Sequence, residues 1–124
     1  MPINGHYTPH ETAQVTKAIE FIKKHYTNDI SIEGLVEDAR LDRKVFLRIF
    51  KIMTSTTVHK YLVKIRLEHA KEDLADFSLT VDQVAHRNGF NSGTYFTKIF
   101  RKIIGQVPTE FRMQLIREHE CSVP

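Results

Sequence analysis

Apolar residues recur along this chain at the i, i+3, i+4 spacing that puts them on one face of a helix. Val15, Ala18, Ile19 and Ile22, with Tyr26 beyond them, form a first stripe, and Ile32, Leu35, Val36 and Ala39 a second. A third stripe joins Phe46, Ile49, Phe50 and Met53, and Val58, Tyr61, Leu62 and Ile65 continue into Leu67, Ala70 and Leu74. Val81, Val84 and Ala85, then Phe96, Ile99, Phe100 and Ile103, and finally Phe111, Leu115 and Ile116 complete the series. Each stripe covers one side only, so each helix is expected to bury one face and expose the other.

The residues between the stripes punctuate them. Thr8-Pro9-His10-Glu11 and Thr80 with Gln83 read as capping boxes, in which side chains satisfy backbone N–H groups left free at a helix start. Ser31, Asp42 and either Asn91 or Ser92 are further expected N-caps, and Thr56 or Thr57 is expected to cap the helix before Val58. Gly89 supplies the left-handed residue that ends a helix, and the chain turns again around Arg40-Leu41. The third and sixth stripes therefore follow a short helix and a tight turn, which is the grammar of a helix-turn-helix.

That unit occurs twice. Phe46/Phe96, Arg48/Lys98, Ile49/Ile99, Phe50/Phe100, Lys51/Arg101, Ser55/Gly105 and Tyr61/Phe111 are each 50 residues apart, while upstream of the turn Ile32/Val81 and Leu35/Val84 are 49 apart. Repetition of a complete supersecondary unit predicts two similar subdomains with similar working surfaces. The expected organisation is all-α: a loose N-terminus over residues 1–7, a first helix-turn-helix subdomain over 8–56, a linker helix over 57–76, a second subdomain over 77–117 and a frayed tail over 118–124. Twenty residues of linker helix would span about 30 Å. That approaches the ~34 Å repeat separating successive major-groove openings on one face of B-DNA.

Charge sharpens the picture by its placement. The chain of 124 residues carries a formal net charge of only +3. Leu41 to Lys51 holds Arg43, Lys44, Arg48 and Lys51 against Asp42, and Asn88 to Lys102 holds Lys98, Arg101 and Lys102 against no acid. Each window nets +3, so everything outside them nets −3. Positive charge is concentrated on the second helix of each motif, which suggests a phosphate-rich partner.

Other chemistries find little support. The one cysteine, Cys121, forms no internal disulfide or cysteine-rich zinc site. His6 and His10 lack a nearby third ligand, so no metal and no cofactor is expected. No recognisable nucleophile setting or glycine-rich phosphate loop is present, and an enzyme is not expected. No apolar run approaches the ~18–20 residues of a membrane span and no signal peptide is evident, which points to a cytoplasmic protein with no membrane partner.

With the doubled motif established, the chain resembles the DNA-binding domain of the AraC/XylS family of bacterial transcription regulators over roughly Ile19 to Arg112. The most specific match is VAHRNGFNSGTYFTKIFRKIIGQVPTEFR, supported by LDRKVFLRIFK and KYLVKIRLEHAKEDL. The resemblance implies about seven helices in two lobes, with the third and sixth entering successive major grooves of promoter DNA. It also implies a DNA-binding domain that acts as a monomer and activates transcription by contacting RNA polymerase. By position it assigns base reading to Arg43, Lys44, Leu47 and Arg48 and to Gly93, Thr94, Tyr95 and Lys98. Phosphate contacts fall to Ser31, Lys51, Ser92, Thr97, Arg101 and Lys102. The chain departs from the family's pattern at Gly93, which removes a side chain that relatives use for base contacts so that readout there leans on Thr94, Tyr95 and Lys98, and at Arg40 and Ser55, which stand where glycine is usual. If the backbone at Arg40 and Ser55 is left-handed, each costs roughly 1 kcal/mol.

Arg48 and Lys98 are the strongest base-contact candidates, since an exposed cation reaches guanine O6 and N7, and Leu47 could meet a thymine methyl. The bland alternative is a solvated charged face. Phe46, Phe50, Phe96 and Phe100 at helical spacing read as core and not as a platform for single strands. The rival function is a helical protein-interaction module whose basic faces dock on an acidic partner. A separate sensing or dimerisation domain, common in such regulators, is not visible in these residues, and the chain reads equally as a stand-alone regulator or a fragment.

Overall fold

A computed structural model describes residues 7–122, with side chains to Glu118. Among the described residues the chain is all-α: α1 Pro9–His25, α2 Ile32–Ala39, α3 Arg43–Thr54, α4 Val58–Asp73, α5 Val81–Arg87, α6 Gly93–Ile104 and α7 Pro108–Ser122. They fall into two compact units divided within α4, between Ile65 and Arg66.

The first unit is organised by its caps and by aromatic packing. Thr8 and Glu11 form the expected capping box with Pro9 at the first helical position, Ser31 Oγ accepts from the Gly34 N–H at 3.0 Å, and Asp42 accepts from Lys44 and Val45. Val15, Ala18, Ile19 and Ile22 of α1 meet Leu35 and Ala39 of α2, Phe46, Ile49 and Phe50 of α3, and Val58 and Leu62 at the start of α4. Phe50 meets Tyr61 edge-on at 5.5 Å, the geometry that the ring quadrupole favours. Gln14 Nε2 donates to the Ala39 carbonyl at 3.2 Å, so α1 also satisfies the end of α2.

The second unit repeats this plan. Thr80 and Gln83 form the capping box and Ser92 Oγ caps α6 by accepting from the Tyr95 N–H. Phe100 meets Phe111 edge-on at 5.6 Å, 50 residues after the Phe50–Tyr61 pair. The unit also ties its turn to the end of α4 through a buried side chain. Asn88 is buried, and its Nδ2 donates to Asp73 Oδ2 at 2.9 Å and to the Val84 carbonyl at 2.8 Å. Arg112 Nε donates to the Leu74 carbonyl at 2.9 Å, so α7 holds the loop between α4 and α5.

Several expectations are corrected. Met53 and Ile103, the last apolar residue of each reading-helix stripe, are exposed, at 37% and 53%. Both lie in the final turn of their helix, where the stripe outruns the neighbouring helices. Leu47 is half-buried and packs on the first core, so it is not a freely exposed apolar residue. The linker helix ends at Asp73, which makes it 16 residues long, or about 24 Å instead of 30 Å. Beyond it Ala75 and Asp76 bond only three residues back, and Asp76 Oδ1 accepts from both the backbone and the hydroxyl of Ser78. An Asx turn thus replaces the last helical turn. Tyr7, placed in a loose segment, packs on the first core, and residues 1–6 lie outside the described residues. The backbone of α7 stays helical to Ser122, where fraying from Glu118 was expected.

Candidate nucleic-acid interface

Each reading helix is set by the turn before it. In the second unit the Gly89 N–H bonds to the His86 carbonyl at 3.2 Å and the Phe90 N–H to the Ala85 carbonyl at 3.0 Å, with Gly89 at φ 91°. This pair of reversed bonds is the Schellman motif, and glycine adopts it without a Cβ clash. In the first unit Arg40 takes the left-handed conformation at φ 56° and its N–H bonds to the Val36 carbonyl at 3.1 Å. After the reading helices Ser55 stands at φ 66° and Gly105 at φ 94°. Arg40 and Ser55 are therefore the strained departures that their residue types foretold.

The buried phenylalanines hold each reading helix by one side and leave the other open. On α3, Arg43, Lys44, Arg48 and Lys51 are exposed beside the half-buried Leu47. On α6, Thr94, Tyr95, Lys98, Arg101 and Lys102 are exposed, while Thr97 and Gly93 are half-buried. Tyr95 keeps its ring 6.2 Å from that of Phe90, so one side rests on the core and the other faces outward. The Ser31 and Ser92 oxygens accept from their own helix starts, which leaves each hydroxyl proton free to donate.

Two acids near these faces escaped the sequence reading. Glu33 Oε2 of α2 accepts from Arg43 Nη1 at 2.9 Å, although Arg43 begins the first reading helix. The Glu33 backbone N–H at the helix start, then the Arg43 hydrogen bond and charge, hold the Glu33 carboxyl below its ordinary range. In the second unit a Cβ built on Gly93 would collide with the Asp82 carboxylate of α5. Counting charges along one helix at a time misses both, because the acids arrive from the preceding helix. The available signal was the repeat register, which relates Glu33 to Asp82 by 49 and Arg43 to Gly93 by 50.

The described residues contain no group of three or more His, Cys, Asp or Glu side chains arranged for a metal ion, and His6 and the Cys121 side chain lie outside them. No described helix is long and apolar enough to cross a membrane.

A family model described as a helix-turn-helix domain matches residues 35–114, which takes in both reading helices. The chain belongs to the AraC/XylS family of transcriptional regulators. This is a family of DNA-binding regulators and not of enzymes. The AraC/XylS chain is 31% identical over 98 residues to an uncharacterized HTH-type transcriptional regulator in the cgkA 5′ region of Pseudoalteromonas carrageenovora, covering 79% of this chain and 58% of that protein. It spans 34–58% of the length of the first curated relatives it matches. The fold is shared with the DNA-binding domain of AdpA, a global transcriptional factor solved in complex with a target DNA, at a TM-score of 0.79 and 24% identity over 89% of this chain and 98% of that one. The C-terminal domain of AraT, a response regulator from Geobacillus stearothermophilus, superposes at 0.76 with 27% identity, covering 89% and 88%.

Proposed function

We propose that this AraC/XylS chain is a sequence-specific double-stranded DNA binder that regulates transcription, placing α3 and α6 in successive major grooves. The observation that carries this reading is the doubled frame: each buried phenylalanine pair holds a helix whose outer face is basic and exposed. Base reading belongs to the positions Arg43, Lys44, Leu47 and Arg48 on α3 and Gly93, Thr94, Tyr95 and Lys98 on α6. Ser31, Lys51, Ser92, Thr97, Arg101 and Lys102 anchor phosphates and set the register. The likeness to AdpA, whose domain was solved on DNA, supports the choice of partner. In keeping with its family, the protein acts in the bacterial cytoplasm, binds its site as a monomeric DNA-binding domain, activates by contacting RNA polymerase and has no catalytic activity.

Selection from a random duplex pool, followed by salt titration on the selected site, tests this. A defined sequence should emerge, and log K should fall with log salt at a slope of about −3 or steeper if Lys51, Arg101 and Lys102 each neutralise a phosphate. Arg48→Ala and Lys98→Ala should each weaken the selected site by ~1–3 kcal/mol, with Lys102→Ala acting evenly across sequences. Equal affinity for every duplex would overturn the proposal in favour of docking on an acidic partner.

A further inference from the structure

The two helix-turn-helix motifs share a contact that goes beyond the basic faces. In each, the second residue of the first helix reaches the first residue of the reading helix: Glu33 of α2 meets Arg43 of α3, and Asp82 of α5 meets Gly93 of α6. In the first motif the pair is acid and base, joined at 2.9 Å. In the second the base is missing, and the space where a side chain would begin is taken by the Asp82 carboxylate, whose Cγ lies 3.0 Å from the Cβ position. That carboxylate stays open to approach, with the Asp82 side chain 73% exposed and His86, one turn along, only at 4.0 Å.

We propose that Asp82 is a specificity-determining residue that takes the place of the absent Gly93 side chain and accepts a hydrogen bond from a cytosine N4 amino group in the major groove. This rests on the DNA-reading function proposed above. The first residues of a reading helix are those that meet base edges. An ionised carboxylate only accepts. Guanine N7 and O6 and thymine O4 are acceptors and repel it, and adenine sets an acceptor N7 beside its amino group, so cytosine is the base it suits. The same charge stands among DNA phosphates and lowers affinity for every duplex, which makes Asp82 a residue that selects at the expense of strength.

The test measures the full chain, by competition fluorescence anisotropy at fixed salt, against the selected duplex and every single base-pair variant of it. The parent should favour cytosine about ten-fold at one pair beneath the start of α6. Asp82→Ala should lose the preference at that pair alone and bind all duplexes several-fold more tightly. Gly93→Ala pushes the flexible carboxylate aside without removing its charge, and should lose the same preference without the general gain. A selective parent whose Asp82→Ala variant keeps its preference at every pair overturns this inference and leaves the DNA-reading function standing. A parent indifferent to sequence overturns both.

Discussion

The two helix-turn-helix units follow the same backbone path by different chemistry. Both require a left-handed residue after the reading helix, and the second supplies glycine at Gly105 where the first supplies Ser55. The turn before the reading helix is a two-bond Schellman closure at Gly89 in one unit and a left-handed arginine in the other. The second unit ties its turn to α4 through the side chains of buried Asn88 and Asp73, whereas the first ties the end of α2 to α1 through Gln14 and the Ala39 carbonyl. Arg48 and Lys51 of the first reading helix match Lys98 and Arg101 of the second, but the first adds Arg43 and Lys44 at its start and the second adds Lys102 near its end. A repeat thus preserves the path that the core demands, while local strain and surface chemistry diverge around it.

The largest effect should be one that the units share. Phe50 and Phe100 are both fully buried and both make the edge-on pair with the helix that follows. Phe50→Ala and Phe100→Ala should each cost about 3–5 kcal/mol in urea unfolding. If one cost less than half the other, the cores would not be equivalent.

The tether should break the symmetry. Asn88→Ala removes a hydrogen bond to the Asp73 carboxylate and leaves a buried gap at the turn, a loss of about 2 kcal/mol. The matching site in the first unit, Ala39, has no such group to lose. Hydrogen exchange should place the extra opening in α5 and α6, and a uniform change across both units would contradict the assignment.

Much of this was legible in the residues, for a physical reason. Caps, turns and stripes are encoded by near neighbours, so Thr8, Ser31, Asp42 and Thr80 announced their helices, and the 50-residue register announced the repeat. The strain at Arg40 and Ser55 was legible because glycine was missing where the repeat and the family call for it. What escaped depends on residues brought together by packing. Asn88 gave no sign of its role because its partner Asp73 stands 15 residues away, and α6 looked free of acids until α5 laid Asp82 over Gly93. Met53 and Ile103 were misjudged because periodicity shows which side a residue faces but not whether a neighbour reaches it.

The strain contrast offers a reciprocal test of about 1 kcal/mol. A Cβ at Gly105 would meet nothing within 4 Å, so the cost of Gly105→Ser is that of the backbone conformation alone. The left-handed region costs a residue with a Cβ about 1 kcal/mol or slightly more. Gly105→Ser should destabilise by that amount, and Ser55→Gly and Arg40→Gly should each stabilise by a similar one, less what glycine gives back in the unfolded chain. Melting of the three variants against the parent checks this. A neutral Gly105→Ser would remove strain as the difference between the units.

The smallest expected effect is acid dependence, and it too sets one unit against the other. Glu33 is held below its ordinary range by its own backbone N–H and then by Arg43, and Asp76 of the second unit by the Ser78 hydroxyl and then the Ser78 backbone. A carboxyl depressed on folding adds stability that is complete above its unfolded value, about 4.3 for Glu and 3.9 for Asp, and is lost as pH falls through the folded one. The loss therefore begins below about pH 4 in both units, first at Glu33 because its unfolded value is higher. Glu33→Gln and Asp76→Asn should each melt slightly below the parent at pH 6, and each deficit should shrink as pH falls below about 4. That shrinkage is the decisive feature, because a substitution that acted only through packing would keep its deficit at every pH. A Glu33→Gln deficit unchanged between pH 6 and pH 3 would mean that neither the backbone N–H nor Arg43 stabilises the ionised Glu33 carboxyl in the first unit.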